Sequence, residues 1–522
     1  MNSPNNAALL RSLIIYAVCV PLAVVVGYML TNPMDYSTLG LFGILALLLV
    51  SPILLRWHHP LLIVSWNMSM TLFFIKSTPS LWMVMVAISL GISLLERTLN
   101  SDMHFIRVPQ ITWPLLCLIA VILLTAKLTG GLGFRAFGSD VYGGKKYVEL
   151  LAGIFSYFAL TSRRIPPEKA GLYVALFFLA EATRCIGDLY SIAPSWANFI
   201  FWFFPPSINS FNQFELGQTR LGGIGAAGTA ICLWMLARYG IRGIFLEGRL
   251  WRPCLWFFCF VLDLLGGFRS AMLAVAAPFA IMFFMEGLHR TRLLPVAILS
   301  GTLVAAMIVP LAPHLPFTFQ RALSFLPLDI SQEAKTSAQA SLDWRMNMWT
   351  ALLPQVPKHL LLGKGMAISP EDYTTMMGTA MGTTAGAIDP SQDPLAISSD
   401  YHNGALSVIL PFGIWGMMAY LWLMFAGVWV LYRNWKYGRP ELRTTNALLF
   451  AVFLFEVLSF LSCYAGYAMP IGIPYLVGYL GLGIALNNGV CQPAPEPVPA
   501  RETFFQSRGG LTRSQPRPAF PR

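Results

Sequence analysis

Four residues have the types and positions needed for proton transfer beside a phosphate: His402, Arg220, Arg269 and Arg345. His402 ends the loop 313–403 and precedes the apolar run 405–431, which exceeds the about 20 residues that cross a bilayer. A neutral imidazole can accept a proton near neutral pH. The guanidinium fork of arginine binds phosphate oxygens through paired hydrogen bonds. These side chains predict a base and an anion site at a membrane surface.

Two of the arginines lie in glycine-rich turns. Arg220 belongs to the segment 217–223 and Arg269 to the segment 266–270. Glycine permits close approach of another backbone or of an anionic ligand. The alternative for each arginine is that it reaches lipid headgroups or pairs with a nearby acid, and for Arg269 that acid would be Asp263.

His402 has two competitors in the same loop, His314 and His359. A lone histidine is more often a structural hydrogen-bonding residue than a base. His314 lies between prolines after an apolar segment, and His359 follows Lys358, whose charge would lower the pKa of the imidazole. Local chemistry does not choose among the three.

The sequence predicts neither a metal site nor a cofactor. Cys and His residues lack the spacing of metal ligands, and the motifs of nucleotide sites and nucleophile elbows do not occur. The acidic residues in the second half of the loop do not form a compact cluster: Glu371, Asp372, Asp389, Asp393 and Asp400. The eight cysteines lie in or beside apolar segments, where they act as small apolar side chains.

Composition defines the class of protein that must position these residues. Of the 522 residues, 56% are hydrophobic and 11% are charged, with a mean hydropathy of +0.62. A soluble domain has about 25% charged residues, so we predict an all-α polytopic membrane protein. The net charge of +11 then records topology, and no basic patch interleaved with aromatic residues indicates nucleic-acid binding.

Fourteen apolar segments predict about 14 (12–14) transmembrane helices. They lie near 9–30, 38–55, 59–75, 80–95, 112–128, 147–161, 170–186, 221–237, 253–267, 271–286, 293–312, 404–431, 444–462 and 470–487. The predicted organisation is a helix bundle (1–312), a large periplasmic loop (313–403), C-terminal transmembrane helices (404–487) and a disordered Pro/Arg-rich cytoplasmic tail (488–522).

Lysine and arginine counts predict the orientation. With the N-terminus in the cytoplasm, 22 of the 35 Lys and Arg residues fall on the inner side, mostly in short connections. This bias favours an N-in/C-in topology. His402, Arg220, Arg269 and Arg345 then share the outer side.

The loop also contains a predicted amphipathic helix. Four apolar residues have the spacing of one helical face: Leu342, Met346, Trp349 and Leu353. Ser341 is the predicted N-cap and Pro354 ends the helix. The helix would lie along the outer membrane interface with Arg345 on its flank.

The sequence resembles the O-antigen ligase/O-antigen polymerase superfamily of bacterial envelope polysaccharide enzymes. The residues that carry the resemblance span about 215–430: Arg220-Leu221-Gly222-Gly223, Phe268-Arg269-Ser270-Ala271, Trp344-Arg345 with Trp349, Leu361-Leu362-Gly363-Lys364-Gly365, and His402-Asn403 with Leu406 and Gly413-Ile414-Trp415-Gly416. Two features depart from the family pattern. Asp263 is an acid where an apolar or hydroxyl residue is expected, and fourteen spans exceed the family's usual twelve or so.

The resemblance implies a GT-C-like glycosyltransferase, independent of metal, at the periplasmic face of the bacterial inner membrane. It would move a glycan from undecaprenyl pyrophosphate to an acceptor hydroxyl, with inversion, as a ligase or as a polymerase. His402 would be the base, and Arg220 and Arg269 would hold the pyrophosphate. Arg345 and Asn403 would bind substrate or orient the loop.

The implied partners are the lipid-linked glycan donor, a glycan or lipid-linked acceptor, membrane lipids and other polysaccharide-assembly proteins. The main alternative is a lipid-linked oligosaccharide flippase. A flippase should have related halves and charged residues near mid-bilayer. This sequence has no detectable similarity between halves and Glu456 as its main acid within a span, so the enzyme is favoured. A non-catalytic scaffold would leave the glycine-flanked arginines unexplained.

Overall fold

The computed structural model describes residues 16–17, 19–28, 31, 36–75, 77–102, 104–130, 143–206, 221–380, 394–462 and 469–493. Arg220, Asp389, Asp393 and the tail beyond residue 493 lie outside them. Within these ranges the regular structure is helical, apart from one isolated β-bridge between Thr71 and Ser80. The all-α fold class is confirmed.

The first part of the chain forms α1 (Cys19–Tyr28), α2 (Tyr36–Trp66), α3 (Leu81–Leu99), α4 (Pro109–Leu128), α5 (Gly144–Leu160), α6 (Ala170–Leu179), α7 (Cys185–Asp188) and α8 (Ile200–Phe203). Next come α9 (Gly222–Phe245), α10 (Trp251–Leu264), α11 (Arg269–Met285) and α12 (Leu293–Leu311). The loop contains α13 (Phe317–Ala322), α14 (Gln332–Leu352), α15 (Val356–His359), α16 (Pro370–Ala380) and α17 (Pro394–Ile397). The last helices are α18 (Gly404–Tyr437), α19 (Arg443–Ser462) and α20 (Met469–Asn487).

Among the described residues, eight helical segments are long and apolar enough to cross a membrane, and three shorter helices are also apolar. The chain is therefore a polytopic membrane protein, but this set does not support a count of fourteen. The predicted segments 38–55 and 59–75 show one reason. Both begin within the single helix α2, which continues through Pro52 and Pro60, because membrane helices tolerate internal proline.

Glycines bring α9 close to α10. A Cβ atom on Gly228 would lie 2.4 Å from the carbonyl oxygen of Cys259, and one on Gly225 would lie 3.0 Å from that of Asp263. Small residues allow this close backbone contact between membrane helices. The N-terminal end of α9 is thereby held beside the C-terminal end of α10.

Helix α18 is broken near its start, at Gly413, where φ is 64°. The loop segment before α16 satisfies the backbone groups exposed by the break. The N–H of Lys364 donates to the carbonyl of Leu410 (2.7 Å), and the N–H of Ile414 donates to the carbonyl of Leu360 (2.7 Å). The loop is thus fastened to the helix that begins just after His402.

The loop helix α14 differs from its prediction in where it begins and which face it buries. Its N-cap is Ser331, whose hydroxyl accepts a hydrogen bond from the N–H of Ala334, so the prediction of Ser341 as N-cap was wrong. Three of the four stripe residues are exposed: Leu342, Met346 and Leu353. Met348 and Leu352 are buried instead, because a second apolar stripe, one position away, packs against residues that adjoin His402.

Candidate active site

His402 lies in a strained turn at the start of α18. Its φ is 48°, and that of Ser399 is 60°, a left-handed conformation that costs energy for residues other than glycine. The next residue, Asn403, caps α18 by accepting a hydrogen bond from the N–H of Leu406 (3.1 Å). Asn403 therefore fixes the helix start immediately beside the imidazole.

Contacts from two other helices hold this turn. The indole N–H of Trp349 in α14 donates to the carbonyl of Tyr401 (2.7 Å), and the Tyr401 side chain is 1% exposed. Lys146, in the first turn of α5, donates to the carbonyl of Ser398. The position of His402 is therefore set by α5, α14 and α18 together.

The imidazole of His402 lies between an aromatic ring and a carboxylate. It packs edge-on against Trp344, with 5.4 Å between ring centroids. Its Nδ1 lies 4.0 Å from Oδ1 of Asp400, and about a quarter of the side chain is exposed (24%). This carboxylate would stabilise the positive charge that forms when the ring accepts a proton.

Lys146 is a site residue that the sequence interpretation missed. It precedes the predicted span 147–161, and burial lowers its pKa to about 8 against the opposing influence of Glu149 and Asp400. Its only sequence signal is the pair Lys145-Lys146 before an apolar segment. The structure places this half-buried cation beside the turn that contains Asp400 and His402.

The other two histidines stand elsewhere. His314 ends a 3-10 segment after α12, and His359 ends α15. Burial, Lys364 and Lys358 lower the pKa of His359, in the direction predicted from Lys358. Of the three, His402 is the one in the strained turn beside a carboxylate.

The two glycine-rich arginine turns are adjacent. The N–H of Leu221 donates to the carbonyl of Leu265 (3.3 Å), and a Cβ on Gly222 would lie 3.7 Å from the ring of Phe268. Arg269 is the first residue of α11. Arg220 itself is outside the described residues, but its neighbour Leu221 contacts the Arg269 turn.

Asp263 does not pair with Arg269. Its side chain is fully buried (0% exposed), and its Oδ1 accepts a hydrogen bond from the hydroxyl of Thr229 (2.7 Å). No ion pair within the described residues joins it to an arginine. The nearby acid therefore does not account for Arg269.

A second residue missed from the sequence, Arg321, connects the arginine turn to the loop. A Cβ on Gly267 would lie 3.5 Å from the Cβ of Thr318, and Arg321 is one helical turn further along α13. Burial and the positive charge of Arg345 lower the pKa of Arg321. Two neighbouring guanidinium groups repel each other, and an anion bound between them would relieve that repulsion.

A cavity of about 870 Å³ adjoins these elements. Phe268 and Ser270, on either side of Arg269, line it. So does Ser459, whose neighbour Phe460 touches the start of α18: a Cβ on Gly404 would lie 2.5 Å from its ring. The cavity therefore borders the arginine turn, and the neighbour of one lining residue contacts the helix start beside His402.

Charged side chains line much of this cavity. Among the described residues the acids are Glu149, Glu181, Asp263 and Glu456, and the cation is Arg184. The sequence analysis assigned none of the five to substrate binding; it considered Asp263 only as a partner of Arg269. Across the described ranges, no group of three or more His, Cys, Asp and Glu residues is arranged to hold a metal ion.

The fold and the site define a polytopic membrane protein with a histidine and several arginines near a large polar cavity at one end of its bundle. Residues 253–421 match the model of a family described as O-antigen ligase. The match confirms the resemblance to the O-antigen ligase/polymerase superfamily and supports a glycosyltransferase of that type. No curated protein matches the chain.

The matched region encloses His402, Arg269, Arg345 and the newly identified Arg321. It leaves out Arg220, Lys146 and the acid Glu456. The cavity is therefore built partly from the matched region and partly from helices outside it.

Proposed function

We propose that this protein transfers a glycan from undecaprenyl pyrophosphate to an acceptor hydroxyl at the periplasmic face of the inner membrane. The family match supports glycosyl transfer. The guanidinium groups, which bind phosphate oxygens in pairs, support a pyrophosphate donor, and the bias of Lys and Arg supports the periplasmic location. Whether the acceptor is a lipid or a growing polysaccharide is left open.

The observation that supports this proposal is a series of neighbouring residues between the histidine and the arginine turn. His402 packs against Trp344 at 5.4 Å, and the positive charge of the next residue, Arg345, lowers the pKa of Arg321. One turn before Arg321, α13 approaches the turn that precedes Arg269. The proposed base and three arginines are thus linked through α13 and α14.

The reaction needs one proton transfer and one displacement. His402 accepts the proton of the acceptor hydroxyl, with the Asp400 carboxylate beside Nδ1 stabilising the imidazolium. The acceptor oxygen bonds to the anomeric carbon as its bond to the pyrophosphate oxygen breaks. The bonding electrons leave with the pyrophosphate, and direct displacement inverts the anomeric centre.

The arginines stabilise the leaving group. Charge accumulates on the pyrophosphate as its bond to the sugar breaks, and preorganised guanidinium groups lower the energy of that state. We assign this role to Arg269 and Arg321, and Arg220 is predicted to join them. Arg345 follows Trp344 in α14 and can also position the acceptor. Because the leaving group is already good, the mechanism requires no metal.

Reconstitution in lipid vesicles tests the proposal. Wild-type protein should join a glycan from undecaprenyl pyrophosphate to an acceptor, and should continue to do so in EDTA. His402→Ala should lower the rate by about 10²–10⁴-fold, and Arg269→Ala should lower it as well. The exposed residues His104 and Arg249 give matched controls, His104→Ala and Arg249→Ala, that should transfer normally.

Three results would overturn parts of this account. Undiminished transfer by the His402→Ala protein would remove the proposed base. Movement of the carrier across vesicles without any new glycosidic bond would replace the enzyme with a flippase. A strict requirement for a divalent cation would contradict the metal-independent mechanism.

A further inference from the structure

The cavity beside the Arg269 turn contains a buried carboxylate with an unused acceptor. Asp263 is fully buried (0% exposed); Oδ1 accepts from Thr229, whereas Oδ2 has no hydrogen-bond partner among the described residues. A buried carboxylate oxygen without a donor costs substantial free energy. Since both Asp263 and Thr229 line the cavity, a bound molecule can supply that donor.

The balance of charge in the cavity opposes an anion. Among the described lining residues the one Lys or Arg is Arg184. Arg184 donates to the hydroxyl of Tyr475 (3.0 Å), and its Nε lies 3.6 Å from Oε1 of Glu181, so it is already engaged. Glu149, Glu456 and Asp263 add three further carboxyl groups to the lining. The occupant must offer hydrogen-bond donors and carry no negative charge where it meets these groups.

Aromatic and apolar side chains also line the cavity. Trp66 and Trp82 line the cavity, with 5.4 Å between their ring centroids and 52° between their planes. Met68, Met70 and Met83 extend this surface. Aromatic faces beside a few directed polar groups are typical of small-molecule sites, and about 870 Å³ falls within their usual range of ~300–1,000 Å³.

These features favour one part of a lipid-linked glycan as the occupant over the other two. The candidates are the prenyl chain, the pyrophosphate and the sugars. A prenyl chain has no donors, so it would leave Oδ2 of Asp263 unsatisfied and would bury Glu456 in hydrocarbon. The pyrophosphate would be repelled by the acids. Sugar rings have hydroxyl and amide donors at their edges and apolar C–H faces that can lie against Trp66 and Trp82.

We propose that this cavity binds the carrier-proximal sugars of the donor, and that its carboxyl groups select neutral or amino sugars over uronic acids. Oδ2 of Asp263 accepts a hydrogen bond from a sugar hydroxyl or N–H group, and Glu456 accepts another. The inference rests on the proposed function for its choice of donor. It adds a specificity site that lies largely outside the family-matched region.

Equilibrium binding without acceptor tests this site independently of transfer. Full-length protein in lipid nanodiscs is titrated with three probes: undecaprenyl pyrophosphate alone, the same carrier with a neutral oligosaccharide, and the carrier with a uronic acid as its first sugar. Isothermal titration calorimetry measures the affinity for each probe. The neutral glycan should bind at least about tenfold tighter than the bare carrier, the equivalent of one charge-assisted hydrogen bond. The uronic acid should remove that advantage.

Neutralised acids identify the groups responsible. Glu456→Gln and Asp263→Asn should each reduce the preference for the neutral glycan to about threefold or less, and should weaken the rejection of the uronic acid. Glu441 is exposed on a connection outside the cavity, so Glu441→Gln should behave as wild type. If Asp263→Asn fails to fold, Glu456→Gln decides the outcome.

Two results would overturn the site. Equal affinity for bare and glycan-bearing carriers would show that the cavity does not hold sugar, and wild-type selectivity in the folded Glu456→Gln protein would remove its carboxyl group from recognition. The proposed function fails separately. A wild-type protein that prefers the neutral glycan but forms no glycosidic bond would keep the binding site and lose the enzyme.

Discussion

The two ends of the helix bundle bury polar side chains in different ways. At the end opposite the cavity, the amides of Asn446 and Asn487 exchange hydrogen bonds of 3.0 and 2.8 Å. Asn446 also donates to the carbonyl of Asn434 (2.9 Å), whose side chain donates to the carbonyl of Gly489 (3.1 Å) and accepts from the N–H of Cys491 (2.9 Å). We call Asn434, Asn446 and Asn487 the asparagine cluster. Their side-chain amides all have hydrogen-bond partners within the protein.

At the cavity end the buried polar groups are not all satisfied within the described part of the chain. Oδ2 of Asp263 lacks a donor, and Glu456 lines the cavity. A satisfied buried network stabilises one packing arrangement, whereas an unsatisfied one needs a ligand to complete it. We therefore expect substitutions in the asparagine cluster to lower stability and spare binding. Substitutions at the cavity end should weaken binding and leave stability unchanged.

In the comparison of the two ends, the largest effect is expected at Arg321, near the cavity end. Arg321→Ala should lower kcat/KM for the donor by about 10–100-fold, because it removes a charge-assisted contact to phosphate. Arg321→Lys should recover part of the loss, since lysine keeps the charge without the fork. Donor-dependent initial rates measure both variants. Unchanged kcat/KM in Arg321→Ala would place this arginine outside the pyrophosphate site.

Substitutions in the asparagine cluster should lower the stability of the folded protein. Asn446→Leu leaves the side chain of Asn487 and the carbonyl of Asn434 without their partner, at a cost of about 1–3 kcal/mol. Thermal unfolding in detergent measures the loss, with the exposed residue Asn347 giving the control Asn347→Ala. Donor affinity of the folded protein should stay the same. A fall in affinity without a fall in Tm would reverse the contrast between the two ends.

A smaller effect is expected at Asn403. Two substitutions there distinguish a role in helix capping from a role in substrate binding. Asn403→Ala removes the acceptor for the N–H of Leu406 and should destabilise the protein by about 1 kcal/mol. Asn403→Asp keeps an oxygen at that place and should retain the wild-type Tm. Equal Tm values for Asn403→Ala and wild type would refute the capping role. Normal Tm with lost transfer in Asn403→Asp would instead assign the amide group to substrate.

The smallest expected effect is the pH dependence due to Lys146. Burial lowers its pKa from 10.5 to about 8 in the folded protein. Between these values the unfolded chain binds more protons than the folded one, so Lys146 makes the free energy of unfolding rise with pH. Thermal unfolding from about pH 8 to about pH 10 should therefore show a smaller rise in Lys146→Met than in wild type. Identical slopes would contradict the burial of a cation there.

Hydropathy predicted the elements that depend on local sequence. The segments 293–312, 444–462 and 470–487 correspond closely to α12, α19 and α20, because each is a continuous apolar run. Hydropathy could not predict that two of the predicted segments begin within the single helix α2, since proline does not always end a membrane helix. Ser331 was missed as a cap because the polar first half of α14 has no apolar period.

The site was partly predictable for a similar reason. His402, Arg269 and Arg345 follow recognisable local patterns, and the structure places them on adjoining elements. Arg321, Lys146 and the acids of the cavity have no local pattern, since their environment comes from helices distant in sequence. Lys146 meets Ser398 across 252 positions, a contact that a single sequence does not reveal.

A structure of the protein with a neutral-glycan donor would test the central claim most directly. We predict pyrophosphate density at Arg269 and Arg321, the anomeric carbon facing His402, and a sugar hydroxyl or N–H group within hydrogen-bond distance of Oδ2 of Asp263. A prenyl chain in the cavity, or pyrophosphate bound away from both arginines, would contradict the account.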